Sequence, residues 1–135
     1  MHKEEFLIKF IKFSGWLEIG IGIGFLFMDP LFSLLDLPNS PFFSLASGVM
    51  LIILGYLLCY SARDLEKFLI IPILSCIFRY IMGFGVELYS LFTIPLLTPV
   101  WFFAIIYDIT SATLTLVLLK QLGYLSISKR KIKKP

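Results

Sequence analysis

The predicted fold is an all-α polytopic membrane protein, a bundle of four transmembrane helices with a short interfacial helix between helices 1 and 2. Three observations predict it. Hydrophobic residues make up 59% of the 135 and charged residues 16%, with a mean hydropathy of +0.92; soluble globular chains run at about 45–50% apolar and about 25% charged. The apolar residues gather in four runs, each near the ~20 residues that cross a ~30 Å hydrocarbon core. The basic residues collect on alternate connections between these runs. A free cytosolic enzyme is excluded by this composition. Nine Gly and seven Pro, scattered through the chain, also exclude a low-complexity or collagen-like protein.

The spans follow in order. They cover residues 7–28, 42–62, 68–92 and 100–119, within one transmembrane domain of residues 1–125; residues 126–135 form a basic cytoplasmic tail. Asp29-Pro30 closes the first span, and Leu31 to Leu37 has the composition of a short interfacial helix. Pro38, Asn39 and Pro41 mark the loop before the second span. Residues 63–67 separate spans two and three, and Pro95 and Pro99 break the chain before span four, in a loop without charge. The first run mixes Glu4, Glu5 and Lys9 into its start, and no small-x-small cleavage site follows Met28, so it reads as an uncleaved span.

Orientation follows from charge. Of the 12 basic residues, all but Arg79 lie near the N-terminus, in residues 63–67, or from Lys120 onward, and loops 29–41 and 93–99 have none. The positive-inside rule then places both termini in the cytoplasm. Trp101 and Tyr89 are expected near the outer interface, Tyr60 and Tyr124 near the inner one. Lys129, Arg130, Lys131, Lys133 and Lys134 suit contact with anionic lipid at about 1 kcal/mol each, although such a cluster also serves topology alone. The net charge of +3 rests on this tail. A nucleic-acid binder would instead spread its basic groups over a folded face.

Glu18, Arg79, Glu87 and Asp108 are ionisable residues inside the spans. At about 1.5 Å per residue, Glu18 lies about 18 Å and Arg79 about 16 Å from the inner face, and Asp108 about 13 Å below the outer one. These three are expected to form a buried network near the midplane. Glu87 falls nearer the outer end, as an acid at the outer mouth. An unpaired charge at the centre costs ~2.5–3.5 kcal/mol on insertion scales. Arg79 with Asp108 is the first expected pair, because a tight loop joins their spans. One guanidinium cannot neutralise two carboxylates, so Glu18 or Asp108 is expected to carry a proton; the sequence leaves open which.

Helical spacing supports a common centre. Glu18 shares a face with Gly15 and Gly22; Arg79 aligns with Ser75, Gly83 and Ser90, and Asp108 with Trp101, Ala104, Ala112 and Thr115. Span two has no charge but carries a small-residue stripe of Ser44, Gly48, Gly55, Cys59 and Ala62, suited to close packing in lipid. Gly20 and Gly24 form a GxxxG pair opposite Glu18, a helix–helix contact face for a second protomer or a membrane partner. Sliding the chain by 61 residues lays Glu18 on Arg79, Gly22 on Gly83 and Gly24 on Gly85, the pattern of a parallel repeat of helix pairs.

Chemistry-bearing motifs are sparse. Cys59 and Cys76 lie in apolar runs without a CxxC and read as buried structural thiols. The single histidine, His2, is in a tail, so no histidine metal cluster is expected, and no metal or cofactor. No phosphate loop, HExxH pair or serine–histidine arrangement is present. Ser111, Thr113 and Thr115 read as hydroxyls bonding to helix backbone. The buried charges suit a device fixing helix register, or a function. The expected partners are the lipid bilayer and a membrane protein or second copy, with no nucleic acid.

Three functional readings follow. The first is a non-enzymatic partner subunit or ligand-binding bundle organised by Arg79, Asp108 and Glu18. The second is a proton-coupled transporter acting as an oligomer. Trp16-Leu17-Glu18 is similar to the first helix of four-helix exporters of the small multidrug resistance type, but those lack a midplane arginine. Some of them also insert in both orientations, which this charge bias forbids. The third is a membrane subunit of a quinone-linked oxidoreductase, with Arg79, Tyr80, Tyr107 and Asp108 polarising a quinone oxygen.

Lys12-x-x-Gly15 opening the first span, the glycines along it, Asp29-Pro30 after it, a short amphipathic piece in the next loop, and Tyr60-Ser-Ala-Arg-Asp64 closing span two together resemble the DoxX-like group. The resemblance covers most of the chain in layout. It implies a small four-helix protein of the bacterial inner membrane, some members of the group being membrane subunits of oxidoreductase or sulfur-metabolising complexes. It implies no active-site residue here.

Overall fold

A computed structural model describes residues 2–36 and 40–125, and every regular element among them is helical. In chain order these are α1 (His2–Leu26), α2 (Met28–Leu34), α3 (Pro41–Ser61), α4 (Ile70–Ile81), a π-helical stretch (Met82–Glu87), α5 (Leu88–Thr93), a 3-10 turn (Pro95–Leu97) and α6 (Thr98–Gln121). Three stretches are long and apolar enough to cross a membrane: α3, the run Ile70–Thr93, and α6. A fourth results if α1 and α2, bent by 52°, make one span. Large apolar side chains such as Phe42, Phe92 and Phe103 are exposed along these helices. Water would not tolerate so much apolar surface, and lipid does. The apolar helices indicate a multi-pass membrane protein.

The chain ends of the helices obey local chemistry. Pro41 and Pro99 sit in the first turns of α3 and α6, where a missing N–H costs nothing. One expectation needs correction here. Asp29-Pro30 does not simply close the first span: α1 stops at Leu26, and both residues lie in the first turn of α2. Aspartate complements the positive end of a helix and proline's fixed φ suits its first turn, so the pair starts a helix as readily as it ends one. The short helix therefore begins three residues before Leu31, and Leu37 lies outside the described residues.

The fold comprises two compact units, Ile8–Leu65 and Met1–Leu7 with Glu66–Pro135. In the first, α1 and α3 pack through glycine. A Cβ added at Gly15 would stand 2.6 Å from the Gly55 carbonyl oxygen, and one at Gly22 2.7 Å from that of Gly48. The pairs run in opposite order along the two helices, which are therefore antiparallel. Each helix spaces its glycines by seven residues, which returns them to one face within about 20°. Cys59 continues the seam, its thiol donating to the Lys12 carbonyl at 3.5 Å. Cys59 is thus half-buried rather than buried; Cys76 is buried, and both thiols are free. Lipid supplies little hydrophobic drive between helices, so such close backbone approach does much of the packing.

In the second unit, α4, the π-helical stretch and α5 pack along α6. At the far end of α6, Gly123 takes φ 78°. The Tyr124 amide donates to the Leu119 carbonyl and the Gly123 amide to that of Lys120, both at 3.0 Å. This is a Schellman closure, in which glycine accepts the left-handed conformation without strain. It sets the Tyr124 hydroxyl to donate to Glu4 at 2.5 Å, while Lys3 donates to Gln121 at 3.1 Å. The start of α1 and the end of α6 therefore meet.

Candidate functional site

Arg79 stands in the last turn of α4 with 3% of its surface exposed. Its Nη1 donates to Asp108 Oδ1 at 3.1 Å and to the Ser111 hydroxyl at 2.8 Å, both on α6. The guanidinium carbon also lies 4.8 Å from the centre of the Tyr107 ring, where the ring face attracts a cation. Ser111 spends its own proton on the Asp108 carbonyl at 3.2 Å, which leaves its lone pairs to receive Arg79. One turn of α6 thus supplies a carboxylate, a hydroxyl and a ring face to a single guanidinium. The i, i+3 spacing of Asp108 and Ser111 puts both on the side of α4.

The hydroxyls around the pair are mostly committed. Thr113 donates to the Ile109 carbonyl at 2.7 Å and Thr115 to that of Ser111 at 2.8 Å, the backbone role expected of them. Thr113 therefore receives the Tyr80 hydroxyl, 2.7 Å away, as acceptor. Two polar atoms on α6 stand apart: Trp101 Nε1 and the Tyr107 hydroxyl are buried without a hydrogen-bond partner among the described residues. The Trp101 side chain as a whole is half-buried. Tyr89, by contrast, is 69% exposed.

Glu87, expected from the sequence as an acid near the outer end of its span, is buried at 8% exposure. The π-helical stretch explains this. Eight residues at about 100° each would set Glu87 about 80° away from Arg79. A π turn absorbs one extra residue, taking back about 100° and leaving the two within about 20°. Glycine makes the distortion cheap: Gly85 has open space around it, while a Cβ at Gly83 would lie 3.3 Å from Ile109 and 3.8 Å from the Asp108 Cβ. The glycine pair in span three was the available signal.

The remaining predicted residues fall as follows. Glu18 is buried at 5% exposure, on the α1 face shared with Gly15 and Gly22, in the unit Ile8–Leu65. A Cβ at Gly20 or Gly24 would meet nothing within 4 Å, so both lie on an open face of α1. The repeat offset pairs Gly22 with Gly83, both buried, and Gly24 with Gly85, both open. The backbone differs, however, being regular α in one case and π-helical in the other. Lys129, Arg130, Lys131, Lys133 and Lys134 lie outside the described residues. Among the described residues no three His, Cys, Asp or Glu side chains gather as a metal site.

No family model, curated protein or solved structure matches this chain.

Proposed function

We propose that this chain is a small integral protein of the bacterial inner membrane with both termini cytoplasmic. In this reading it is a non-enzymatic helical bundle that binds a small ligand or joins a larger membrane complex through the polar region around Arg79 and Asp108. The observation that carries the reading is the Arg79–Asp108 ion pair at 3.1 Å, supplied by two different membrane-type helices. Charges inside a membrane segment are costly and mark function by default. The buried Trp101 N–H and Tyr107 hydroxyl add hydrogen-bonding capacity on the same helix. The closure of Lys3 on Gln121 and of Tyr124 on Glu4 supports an even number of crossings, since it brings the two chain ends to one side. The basic residues on that side support its being cytoplasmic. The resemblance to the DoxX-like group favours the same location and a role as a membrane subunit. Gly20 and Gly24 offer the open face on which a partner or second copy would pack.

Native mass spectrometry of the protein, released gently from its own membrane, tests this reading. A co-purifying small molecule or membrane protein is expected, and substitution of Arg79 by Gln should remove it from the folded chain. A bare monomer carrying only bulk phospholipid would overturn the reading and leave the ion pair as a device of helix register.

A further inference from the structure

We infer that α3 carries a binding site for an anionic phospholipid, on the stripe of the helix that ends at Arg63. Val49, Ile53, Tyr56, Tyr60 and Arg63 follow one another at spacings of three and four residues, which keeps them within about 40° of one line along the helix. Val49 and Ile53 are 50% and 54% exposed, Tyr56 63% and Tyr60 39%. Arg63, just past the last turn, is exposed as well. The rings of Tyr56 and Tyr60 stack, 6.5 Å apart and 21° from parallel. The Arg63 guanidinium lies 5.7 Å from the centre of the Tyr60 ring. Toward the end of the helix the stripe thus passes from aliphatic to aromatic to cationic, the order in which a phospholipid presents acyl chain, glycerol esters and phosphate.

Two polar groups on this stripe select the occupant. Among the described residues the Tyr56 hydroxyl has no hydrogen-bond partner, although its side chain lies on the open face of a membrane-type helix. A hydroxyl left unbonded in hydrocarbon is costly, and tyrosine near a bilayer border satisfies its own at the headgroup level. Arg63 has the Tyr60 ring, and among the described residues no carboxylate; Asp64, Glu66 and Lys67 in the same connection make further contacts. A guanidinium meets a phosphate with two parallel N–H donors. Tyr56 stands about 10 Å deeper than Arg63 along the helix. The guanidinium leans back over Tyr60, so one lipid can give its phosphate to Arg63 and an ester carbonyl to Tyr56. A zwitterionic headgroup brings its own ammonium to the phosphate, whereas an anionic one leaves it to Arg63. The site uses none of the tail cations. It needs only that α3 spans the bilayer, and so stands apart from the ligand or subunit reading.

Native mass spectrometry of the full chain in a non-ionic detergent tests it, with titration by palmitoyl-oleoyl phosphatidylglycerol or by phosphatidylcholine of the same chains. The wild type should bind the first phosphatidylglycerol more tightly than the first phosphatidylcholine. Arg63→Gln should weaken that phosphatidylglycerol about fivefold and erase the preference. Tyr56→Phe should weaken both lipids about threefold. Both side chains are exposed, so the circular dichroism of each variant should match the wild type. A full chain with Lys129, Arg130, Lys131, Lys133 and Lys134 all changed to Gln should keep the preference, and lose it on Arg63→Gln. A preference that Arg63→Gln leaves unmoved overturns the site, whether or not the tail carries it. A wild-type dimer that Tyr56→Phe dissociates, with lipid binding unchanged, would give the stripe to a second copy and overturn the lipid.

Discussion

Arg79 donates a shorter hydrogen bond to the neutral hydroxyl of Ser111, 2.8 Å, than to the Asp108 carboxylate, 3.1 Å. The two bonds differ in what their loss leaves behind. Removing Ser111 takes away one of several partners, at about 1–2 kcal/mol. Removing Arg79 strands a buried carboxylate, and breaking such a pair costs about 3–5 kcal/mol. Arg79→Gln should therefore lower membrane accumulation strongly and Ser111→Ala only slightly. The reversed pair, Arg79→Asp with Asp108→Arg, should recover part of the loss, read as accumulation and as resistance to unfolding by dodecyl sulfate. Equal losses in Arg79→Gln and the reversed double variant would sink the direct pairing.

The glycines of α1 divide by face. Gly15 and Gly22 face backbone carbonyls of α3 at Cβ distances of 2.6 and 2.7 Å, whereas Gly20 and Gly24 have nothing within 4 Å. A methyl group at the first two positions must push the helices apart, and overpacking of this kind costs about 1–3 kcal/mol. Gly15→Ala and Gly22→Ala should each destabilise the protein by that amount in dodecyl sulfate titration. Gly20→Ala and Gly24→Ala should leave the monomer's stability unchanged, while weakening any association seen by cross-linking. Equal effects at all four positions would contradict the division.

Orientation has a direct reading. In a background with Cys59 and Cys76 replaced by Ser, an impermeant maleimide added to intact cells should label Ser40→Cys and Leu96→Cys. It should spare Lys67→Cys and Lys120→Cys until the cells are opened. The basis is the basic residues at one set of connections, together with the contact of Lys3 with Gln121 at 3.1 Å, which places the start of α1 beside the end of α6. Labelling of Lys67→Cys in intact cells would reverse the assignment.

What the sequence made legible, it made legible through quantities that a straight helix preserves. Arg79 and Asp108 could be paired because their depths match and a short loop joins their helices. The small faces of α1 and α3 could be aligned because Gly15, Gly22, Gly48 and Gly55 keep a heptad spacing. The burial of Glu87 was not legible in this way, because counting 100° per residue assumes a regular helix and Met82–Glu87 is π-helical. The start of α2 was missed for a different reason: proline and aspartate serve both to stop a helix and to open one. Burial of the Trp101 N–H depends on packing around α6, which no local pattern in the sequence encodes.

The π-helical stretch makes an uncommon prediction about a deletion. Such a stretch is equivalent to one residue inserted into an α-helix, with the downstream helix keeping its orientation. Removing Gly85, which is exposed and has open space around it, should let Met82–Glu87 close into regular α-helix with α5 and the glutamate in place. The shortened chain should fold, keep Glu87 buried and gain stability, since glycine in a helix interior is unfavourable by about 1 kcal/mol. Deleting Leu74 instead, within regular α4, should turn the preceding turns by about 100° against Arg79 and abolish accumulation. The comparison is read by membrane accumulation and by dodecyl sulfate titration of the two deletions beside the full chain. If both deletions collapse alike, the π-helical stretch is not a one-residue register device, and the burial of Glu87 loses its explanation.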